Sequence, residues 1–551
     1  MKSTHLLQVL IRIYKRISVL VMIGSYVSFL NAASYYLSQN GSDLNSGSVN
    51  NPWLSLSTSA NKLNPGDTLF VREGVYIQRL ITSRSGSAEM SIVITNYPNE
   101  KPVIDGDSTL AASWGSMVNI SGKYLKLNGF EIRKGMGVGV SLGGSYNVMS
   151  NCDINNHYER GVAVTGNYNI VESCHVWFNA TANCRLPGWP VSKYPNGGWG
   201  TGLSAMRSPT GAILRKNICH DNWGEGLSTF EAYSTVMEDN IVYNNWNINI
   251  YVSDVTNAIV QRNISYFTNP GQWRSAVGIG ICDETGIPRS NGNKIINNLV
   301  FGCNSNISWW ADGRISNIGM DNILVAHNTL VNCVGAKSNI TMTGNPPNRN
   351  VRIMNNIVLQ ENSTAVIQPS GTGNTYSNNL WSKTPPSSVT SVTDMFGNPM
   401  ILKSGLTGAG LLIADYFKIA DSSAAINKGV PLMEVTTDFF GNDRGDISDI
   451  GAIEYKVINN VKTETENILN LRLVPNPISE NSMLVFNLSS GGDVQLSVFD
   501  TAGQRVFNEN RSLPAGINEW KLFSGVTYRK GIYLINLICE DELHTQKMLV
   551  L

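Results

Sequence analysis

Aromatic, acidic and basic side chains recur on successive segments between Phe230 and Arg314, and together they could bind and cleave a sugar chain. A pyranose ring has an apolar face that packs on an aromatic ring and a hydroxylated rim that hydrogen-bonds to charged groups. The set consists of Phe230, Glu231, Tyr251, Asp254, Asp283, Glu284, Trp310, Asp312 and Arg314. We interpret it as a glycan-binding cleft, and the alternative is a solvated face that carries ordinary turn charges.

An insertion from Thr181 to Gly200 adds more residues of the same kinds, and shorter insertions run from Thr268 to Ser275 and from Ile287 to Gly292. Insertions that border one face of a regular repeat often build its binding cleft. The residues that the longest insertion contributes are Arg185, Trp189, Lys193, Tyr194 and Trp199. We therefore predict that Trp189, Trp199, Phe230 and Trp310 contact the substrate.

His220 and Glu225 are the two residues whose role depends on the register of the repeat. The repeat column that contains His220 otherwise holds Ile154, Val176 and Tyr243, so His220 is either a structural residue or a base. Glu225 falls on an inward position, which predicts either a paired buried carboxylate or a slip of the register at that coil. If Glu225 faces the cleft, burial would raise its pKa toward use as a general acid.

The elements that must position these residues follow from a repeat with a period of about 23 residues. Asn217, Asn240 and Asn263 each begin a short line in which an aliphatic residue comes next and a ring stands at the fourth place. A period in the low twenties with strand-like content predicts the coils of a parallel β-helix, a repeat fold. Stacked Asn side chains can hydrogen-bond along the axis, and Asn tolerates the left-handed conformation of a sharp bend.

The ladder extends in both directions and indicates which residues are buried. Its further members are Asn128, Asn151, Ser173, Asn298, Asn328, Asn356 and Asn379. The residue after each position forms a column that we predict to be buried, with Cys152 and Cys174 beside Ile218 and Ile241. In the strand that precedes the next Asn, Asn247 to Asp254, alternation predicts that Ile248, Ile250 and Val252 point inward while Asn249 and Tyr251 point outward.

Length and composition allow two or more domains and argue against some classes of partner. The chain has 551 residues, no net charge and 15% charged residues, so the basic footprint of a nucleic-acid-binding protein is absent. The eight cysteines include no CxxC pair or His/Cys cluster typical of zinc. Cys152 and Cys174 are predicted to stack as small apolar residues, with a disulfide left open because the chain looks exported.

Residues 1–33 are predicted to be an export signal. Arg12, Lys15 and Arg16 precede an apolar run from Ile17 to Leu30, and Ala32 and Ala33 supply small residues for cleavage. The alternative is an uncleaved membrane anchor, although a run of about fourteen apolar residues is short for a span. No other stretch is expected to cross a membrane, so the mature chain should have no transmembrane segment.

The residues after the signal resemble a known family. They contain Pro65-Gly66-Asp67-Thr68 followed by Val71-Arg72, Gly74 and Tyr76, with a helical segment from Ser55 to Leu63 that could cover the open end of the repeat. This pattern, the Asn ladder and the closing segments Asp438 to Gly441 and Asp449 to Tyr455 resemble secreted bacterial right-handed parallel β-helix proteins of the pectate-lyase-like superfamily. The resemblance covers about residues 34–455 and says little about the substrate.

The composition changes after Tyr455. Residues 456–470 read as a polar linker, and residues 471–551 contain about seven short alternating segments that predict a small β-sandwich. Pro475-Asn476-Pro477, Val498-Phe499-Asp500, Gly531-Ile532-Tyr533 and Gln546 to Val550 resemble the type A sorting domain of the type IX secretion system of Bacteroidota. This resemblance implies the type IX machinery as a partner, export through the periplasm, and a secreted or outer-membrane surface-attached protein.

Three functions are consistent with the sequence. The first is a polysaccharide lyase that cleaves a uronate-containing glycan by β-elimination, which the family resemblance favours. It needs a base, for which the candidates are Lys193, His220, Tyr251 and Arg314, and a cation that neutralises the carboxylate. Ca²⁺ held by Glu231, Asp254, Asp283 and Glu284 could be that cation. A related epimerase could use similar groups.

The second function is a glycoside hydrolase with two carboxylates that flank the bond, for which Glu231 and Glu284, two coils apart, are candidates. The third is a non-catalytic surface glycan binder or adhesin, which needs the aromatic side chains but no convergent acid and base. The fold does not decide among the three, because one fold hosts many functions.

Overall fold

The computed structural model describes residues 32–111, 115–186, 200–312, 318–335, 337–456, 468–476, 478, 482–500, 504–522, 528, 531–539 and 542–550. Their larger part is a β-helix of three parallel sheets. In each coil the chain visits sheet 1, sheet 2 and sheet 3 in turn, and each strand pairs with the equivalent strands of the neighbouring coils. The fold class predicted from the 23-residue period is confirmed.

Sheet 1 contains the longest strands of the coils. Its eleven strands are Leu80–Thr82, Ser116–Ile120, Val138–Leu142, Arg160–Val164, Thr201–Met206, Glu225–Tyr233, Ile248–Thr256, Val277–Asp283, Ser305–Ala311, Ile340–Met342 and Ile367–Gln368.

Sheet 2 has thirteen strands and follows sheet 1 in each coil. They are Ser34–Leu37, Thr68–Val71, Ile92–Asn96, Leu125–Asn128, Val148–Ser150, Ile170–Glu172, Ile213–Arg215, Val236–Glu238, Ile259–Gln261, Lys294–Ile296, Leu324–Ala326, Pro347–Met354 and Thr372–Ser377.

Sheet 3 also has thirteen strands, most of them three residues long. They are Val75–Tyr76, Val103–Asp105, Glu131–Arg133, Asp153–Asn155, His175–Trp177, Ile218–His220, Ile241–Tyr243, Ile264–Tyr266, Leu299–Phe301, Thr329–Val331, Ile357–Leu359, Leu380–Trp381 and Met395–Phe396.

Segments outside the repeat cover the first coils and the outer face of sheet 3. The helix Leu56–Ala60 buries Leu56, Ala60 and nearby Leu63 over the first coils, as the sequence predicted for the segment around it. After Phe396 the chain packs Leu412, Tyr416 and Ile450 against the outer face of sheet 3, and it contains the 3₁₀ turn Ala414–Phe417. Two other 3₁₀ turns, Thr181–Asn183 and Pro270–Gln272, interrupt the passage from sheet 3 to sheet 1.

The C-terminal residues form a separate antiparallel core. One sheet contains Ile468–Val474, Met483–Leu488 and Gly516–Lys521, and the other contains Gly492–Asp500, Arg505–Leu513, Gly531–Cys539 and Glu542–Val550. The seven strands match the predicted number, and the first of them begins at Ile468, inside the segment predicted to be linker. Among the described residues, no helix is long and apolar enough to cross a bilayer.

The Asn ladder exists, and it joins the turn between sheets 2 and 3. Asn217 donates from its side-chain amide to Asn240 Oδ1 at 3.1 Å, Asn240 donates to Asn263 Oδ1 at 2.9 Å, and Asn263 donates to Asn298 Oδ1 at 3.0 Å. The left-handed residue of this turn is the one before the Asn, such as Lys216 with φ of 55°. Of the residues predicted to form the ladder, Asn151 and Ser173 take this conformation, but each stands one residue before the true ladder position, and Asn217, Asn240 and Asn263 do not take it.

The register of the ladder also differs from the prediction in the early coils. Strand pairing aligns His175 with Ile218, so Cys174 is level with Asn217 and Cys152 is level with Cys174. Both cysteines occupy the ladder position itself, and all eight cysteines of the chain are free and buried. The column predicted to be buried lies on the outer face of sheet 3, where Ile218 is 39% exposed. In the later coils the C-terminal segment covers this column, and Ile264, Leu299, Ile357 and Leu380 are buried as predicted.

Candidate functional site

The corrected register changes the neighbours of His220. Pairing places His220 level with Trp177 on one side and Tyr243 on the other, rather than level with the core residue Val176. The three rings project from the outer face of sheet 3, because the intervening Cys219 and Val242 are the ones that point into the coil. The imidazole of His220 stacks on the Tyr243 ring with centroids 4.6 Å apart and an angle of 4°. His220 is therefore held in a fixed orientation at the surface of the sheet.

Two histidines and two aspartates lie close together at this place. His220 Nε2 lies 2.7 Å from His175 Nε2, and His220 Nδ1 lies 2.6 Å from Asp221 Oδ2. His175 Nδ1 lies 3.9 Å from Asp153 Oδ1, which also accepts a hydrogen bond from the Trp177 indole at 2.8 Å. The two imidazoles come from adjacent coils and share one hydrogen bond.

The partners of His220 decide which of its nitrogens carries the proton. An ionised Asp221 can only accept, so His220 Nδ1 must be the donor. Burial lowers the pKa of His220, and Asp221 opposes this shift only in part. In the neutral ring, Nε2 is then the acceptor, and the hydrogen between the two imidazoles belongs to His175.

His220 lines an open cleft with a volume of about 1070 Å³ at the passage from sheet 3 to sheet 1. The other residues of its wall are Trp177, Phe178, Arg185, Leu186, Asp221, Trp223, Trp246, Gln272, Trp273 and Arg274. The Arg185 and Arg274 guanidiniums lie over the Trp246 ring, 5.2 Å and 5.5 Å from its centroid. The cleft therefore combines aromatic surfaces, cations and a neutral imidazole.

Two hydrogen-bond donors in the cleft have no acceptor among the described residues. They are the indole N–H groups of Trp223 and Trp273, whose rings pack edge to face with centroids 5.9 Å apart. A buried N–H group without a partner costs about 1–3 kcal/mol.

The outer face of sheet 1 begins where this cleft ends, and it carries Glu225. Strand pairing places Glu225 level with Thr201. Because Leu227 pairs with Ile250, Glu225 is also level with Ile248, two residues earlier in that strand. Ile248 belongs to an outer cluster with Tyr251, so both residues of this level point outward and the predicted inward positions are wrong. The local reason is Asn249, which turns inward and donates to Ser265 Oγ and Tyr266 O, and so shifts the alternation by one residue.

Glu225 is almost fully buried, although it is on the outer face, and it accepts a hydrogen bond from the Asn247 amide at 3.1 Å. Burial raises the pKa of Glu225, and the Asn247 hydrogen bond and the charge of Arg160 oppose this shift. The group has the environment of a carboxylic acid that stays protonated more readily than usual.

Tyr251, Glu284 and Trp310 form a second hydrogen-bonded group on the outer face of sheet 1. Tyr251 donates its hydroxyl to Glu284 Oε2 at 2.9 Å, and the Trp310 indole donates to Oε1 at 2.6 Å. Burial raises the pKa of Tyr251 well above its usual range. Tyr251 is therefore a hydrogen-bond donor in this state rather than a base. Phe230 packs against the same cluster.

The acids predicted to hold calcium lie near each other, and most of their oxygens accept hydrogen bonds from protein groups, whereas Asp283 Oδ1 is buried without a partner among the described residues. Asp254 Oδ1 accepts the N–H groups of Glu284, Thr285 and Gly286, and its Oδ2 accepts the Ser253 hydroxyl. Asp283 Oδ2 accepts the Gly319 N–H, and burial beside Asp254 raises the pKa of Asp283 to about 6.

The remaining candidate ligand, Glu231, lies at the end of its strand, where burial and the charge of Asp254 raise its pKa. Across the described residues no three His, Cys, Asp or Glu side chains are grouped so that they could hold a metal ion. The four acids in this arrangement do not fit a calcium site. The calcium prediction itself remains untested.

Several predicted site residues lie outside the described residues. They are Trp189, Lys193, Tyr194, Trp199 and Arg314. The described ends of the longest insertion, Leu186 and Gly200, adjoin the cleft and the Glu225 strand respectively, since Leu186 lines the cleft and Gly200 O accepts the Glu225 N–H. The predictions for these five residues remain predictions.

The sequence reading missed most of the cleft. It did not single out His175, Asp221, Trp246, Trp273 or Arg274. For part of the set the signal is in the three residues that follow two neighbouring sheet 3 strands, where Asp221 to Trp223 and Asn244 to Trp246 place a tryptophan at the same coil position. The slip of the register before Asn217 hid the pairing of His175 with the coil that contains His220.

Two parts of the chain match described families. Residues 35–258 match the family described as the Pel9A-like right handed beta helix region, and residues 472–551 match a secretion system C-terminal sorting domain. The second match supports the sorting-domain prediction and indicates an extracellular or cell-surface location.

A curated relative and several solved structures are similar to parts of the chain. The uncharacterized protein YwoF of Bacillus subtilis (strain 168) is 34% identical over 100 residues, which are 18% of this chain and 21% of that protein. The chain thus spans about a fifth of the length of the curated relative that it matches.

Among solved structures, the pectate lyase Pel9A covers 77% of this chain and 96% of its own at 17% identity, with a TM-score of 0.46. A mannuronic acid specific polysaccharide family 6 lyase from human gut microbiota covers 63% and 86% at 16% identity, with a TM-score of 0.44. The GH136 lacto-N-biosidase from Eubacterium ramulus covers 66% and 68% at 14% identity, with a TM-score of 0.43.

Proposed function

We propose that this protein is a secreted polysaccharide lyase that cleaves a uronate-containing glycan by β-elimination in the His220 cleft. The observation that carries the proposal is the set of groups that line one open cleft. They are a neutral imidazole oriented by Asp221, two guanidiniums and the side chains of four tryptophans. The match of residues 35–258 to a Pel9A-like family supports the same class of substrate.

Each kind of group in the cleft corresponds to a requirement of the reaction. The half-buried rings of Trp177 and Trp273 offer faces on which pyranose rings can stack. Arg274 is exposed in the cleft and can bind a uronate carboxylate with two parallel hydrogen bonds. Neutralising this carboxylate acidifies the C5–H bond beside it, because the negative charge that develops there is delocalised into the carboxylate.

His220 takes the C5 proton at Nε2 in this proposal. The bond to O4 of the neighbouring sugar then breaks and a C4–C5 double bond forms, so one chain end becomes an unsaturated uronate. Asp221 stabilises the imidazolium that results, because it already accepts the Nδ1 hydrogen of His220. The imidazole is available as a base at neutral pH because burial keeps its pKa low.

The test is ultraviolet absorbance of the unsaturated product, measured on a panel of uronate polysaccharides with and without EDTA. We expect absorbance to rise on at least one substrate and EDTA to have no effect, because the cleft supplies its own cations. A panel without any rise would contradict the lyase proposal. A rise that EDTA abolishes would instead favour the acids around Asp254 and Asp283 as calcium ligands.

A glycoside hydrolase is the second candidate, and the outer face of sheet 1 favours it. Glu225 and Glu284 belong to coils two apart, and the charge of Glu284 contributes to the raised pKa of Glu225, so the pair could serve as the two carboxylates that a glycosidase needs. Glu225, whose pKa burial raises, would be the acid, and Glu284 the base. New reducing ends without ultraviolet absorbance, lost in Glu225→Gln, would support this function, whereas retention of glycan without any cleavage would indicate a binder.

A further inference from the structure

We propose that His175 is the general acid of the elimination and that it works with His220 as a single acid–base pair. This proposal rests on the lyase function above and assigns the proton donor that the leaving oxygen requires. Its basis is the 2.7 Å separation of the two Nε2 atoms, which brings a proton acceptor and a proton donor to one point at the edge of the cleft.

The distance between the two nitrogens suits one stereochemical course. In a syn elimination the departing C5 hydrogen and the leaving O4 are on the same side of the sugar ring, a few ångströms apart. His220 Nε2 and His175 Nε2 are on adjacent coils and are separated by a similar distance. An anti elimination would need the acid and the base on opposite faces of the substrate, which two nitrogens in hydrogen-bond contact cannot supply.

The proton balance closes within the pair. In the reactive state His175 carries protons on both nitrogens and His220 carries one on Nδ1. His220 Nε2 takes the C5 hydrogen, His175 gives its Nε2 hydrogen to O4, and the C4–O4 electron pair leaves with that oxygen. His220 is now the imidazolium, and transfer of its Nε2 hydrogen to His175 Nε2 restores the starting state without a proton from solvent.

Charged groups around the pair favour this single extra proton. Asp221 faces His220 from its own strand end, and Asp153 faces His175 from the preceding coil. Lys101 lies 3.3 Å from Asp153 and 3.5 Å from Glu131, so one cation already balances part of the acidic charge. Two carboxylates next to the histidines can stabilise one imidazolium, whereas two adjacent imidazoliums would repel each other.

The different exposures of the two rings match the two roles. The side chain of His175 is 42% exposed, whereas that of His220 is 14% exposed and is stacked on Tyr243. His175 can therefore turn from His220 toward the leaving oxygen when a substrate enters the cleft. His220 remains fixed, as a base must be to meet a particular C–H bond.

The decisive variant is His175→Gln, compared with His175→Ala. A glutamine amide can still donate a hydrogen bond to His220 Nε2, but it cannot transfer a proton. If His175 only positions His220, His175→Gln should have nearly the wild-type kcat. If His175 is the acid, both variants should lose about 10²–10⁴-fold in kcat with little change in KM.

A substrate with an activated leaving group tests the role directly. An aryloxide or fluoride at C4 of a uronate can leave without being protonated. Such a substrate should therefore react with His175→Gln at nearly the wild-type rate. His220→Gln should stay inactive on the same substrate because the C5 proton must still be removed. Equal losses for His175→Gln on natural and activated substrates would overturn the proposal.

A substrate-free measurement separates this proposal from the lyase function. The chain has only six histidines, so ¹⁵N labelling of histidine followed by NMR can assign their tautomers. We expect His220 to carry hydrogen on Nδ1 and the resonances of His175 to shift in His220→Gln. Independent titration of the two rings would overturn the pair even if the enzyme is a lyase. Coupled titration without any eliminated product would support the pair and overturn the lyase function.

Discussion

The turn between sheets 2 and 3 and the passage from sheet 3 to sheet 1 both contain Asn ladders, but only the second has a cleft beside it. At the first turn, Asn217, Asn240 and Asn263 bond to each other and to backbone carbonyls of neighbouring coils. At the second, Asn179, Asn222 and Asn245 form a similar chain. The ladders keep the coil regular, so the difference lies outside them.

We call the turn between sheets 2 and 3 the first corner and the passage from sheet 3 to sheet 1 the second corner. In the coils around the cleft, insertions occur only at the second corner. The chain goes from strand to strand through two residues at the first corner, whereas the second corner accommodates the turns Thr181–Asn183 and Pro270–Gln272. The ladder Asn side chains at the first corner are paired inside the coil, while the indole N–H groups of Trp223 and Trp273 at the second have no acceptor among the residues that the structure describes. The inner ladder therefore stabilises the coil, and the inserted residues outside it form the surface that would bind the glycan.

Removing the proposed base should have the largest effect and should leave stability unchanged. We expect His220→Gln to lower kcat by about 10²–10⁴-fold, the usual contribution of a general base. Because burial lowers the pKa of His220, the acid limb of the wild-type pH–rate profile should lie below the ordinary histidine value. His544→Gln in the C-terminal sandwich is the matched control. An unchanged kcat in His220→Gln would place the chemistry elsewhere.

Breaking the first ladder should have the opposite pattern, with a large loss of stability that precedes any loss of chemistry. Asn240→Ala removes partners from Asn217, Asn263 and the Leu214 carbonyl. Each buried group left unpaired costs about 1–3 kcal/mol, so we expect unfolding to become easier by about 3–5 kcal/mol. Urea titration measures this, with the exposed Asn50→Ala as control. A loss below about 1 kcal/mol would show that water replaces the ladder.

The second ladder begins with a histidine, which makes its stability depend on pH. His157 Nδ1 accepts the Gly135 N–H, its Nε2 donates to Ile132 O, and its own N–H donates to Asn179 Oδ1. Burial lowers the pKa of His157 to about 4. The unfolded chain takes up a proton below pH 6.5 and the folded chain does not, so stability is lost as the pH falls from 6.5 to about 4.

The expected loss for His157 is about 3 kcal/mol, from about 1.4 kcal/mol for each unit of pKa difference. Urea titrations at several pH values measure it. His157→Asn, which imitates the other members of this ladder, should flatten the pH dependence. If the slope between pH 6.5 and 4 is the same in both proteins, His157 is not its source.

A smaller effect is expected for the cation that binds the substrate carboxylate. Arg274→Ala should lower kcat/KM by about 10- to 100-fold, since a hydrogen bond to a charged group contributes about 1.5–3 kcal/mol. Arg274→Lys should recover part of the loss, because a lysine keeps the charge but not the paired geometry. The exposed Arg505→Ala on the sandwich is the control. An unchanged kcat/KM of Arg274→Ala on the uronate substrate would contradict the assignment.

The fold could be predicted from the sequence because the ladder repeats a physical constraint in every coil. A buried Asn at intervals of about 23 residues hydrogen-bonds backbone groups of the turn, which a hydrophobic side chain could not do. The interval is therefore visible in the sequence. The sandwich was visible for a similar reason, through its alternating strands.

The cleft could not be predicted as well, because its residues follow no period. His175 and Asp221 are close only through the pairing of coils, and the insertion between them changes the interval from 23 residues to 43 between Cys174 and Asn217. The inward turn of Asn249 likewise moved Ile248 to the outside, which no alternation rule contains. Single-residue shifts of this kind arise from hydrogen bonds between distant residues and decide which side chains a substrate meets.

The smallest effect tests the shifted register itself. Cys174 occupies a ladder position, and its N–H already donates to Asn217 Oδ1 at 3.0 Å. In Cys174→Asn the new amide could donate to the same oxygen and to Met149 O, which now lies 3.9 Å from the thiol sulfur. We expect a gain of about 1 kcal/mol, the usual net contribution of a hydrogen bond. Ser173→Asn, the substitution that the uncorrected register would choose, is at an exposed left-handed position with φ of 54°, where Asn makes no ladder hydrogen bond and should gain less. Urea midpoints that rank the two variants the other way would return the ladder to its predicted register.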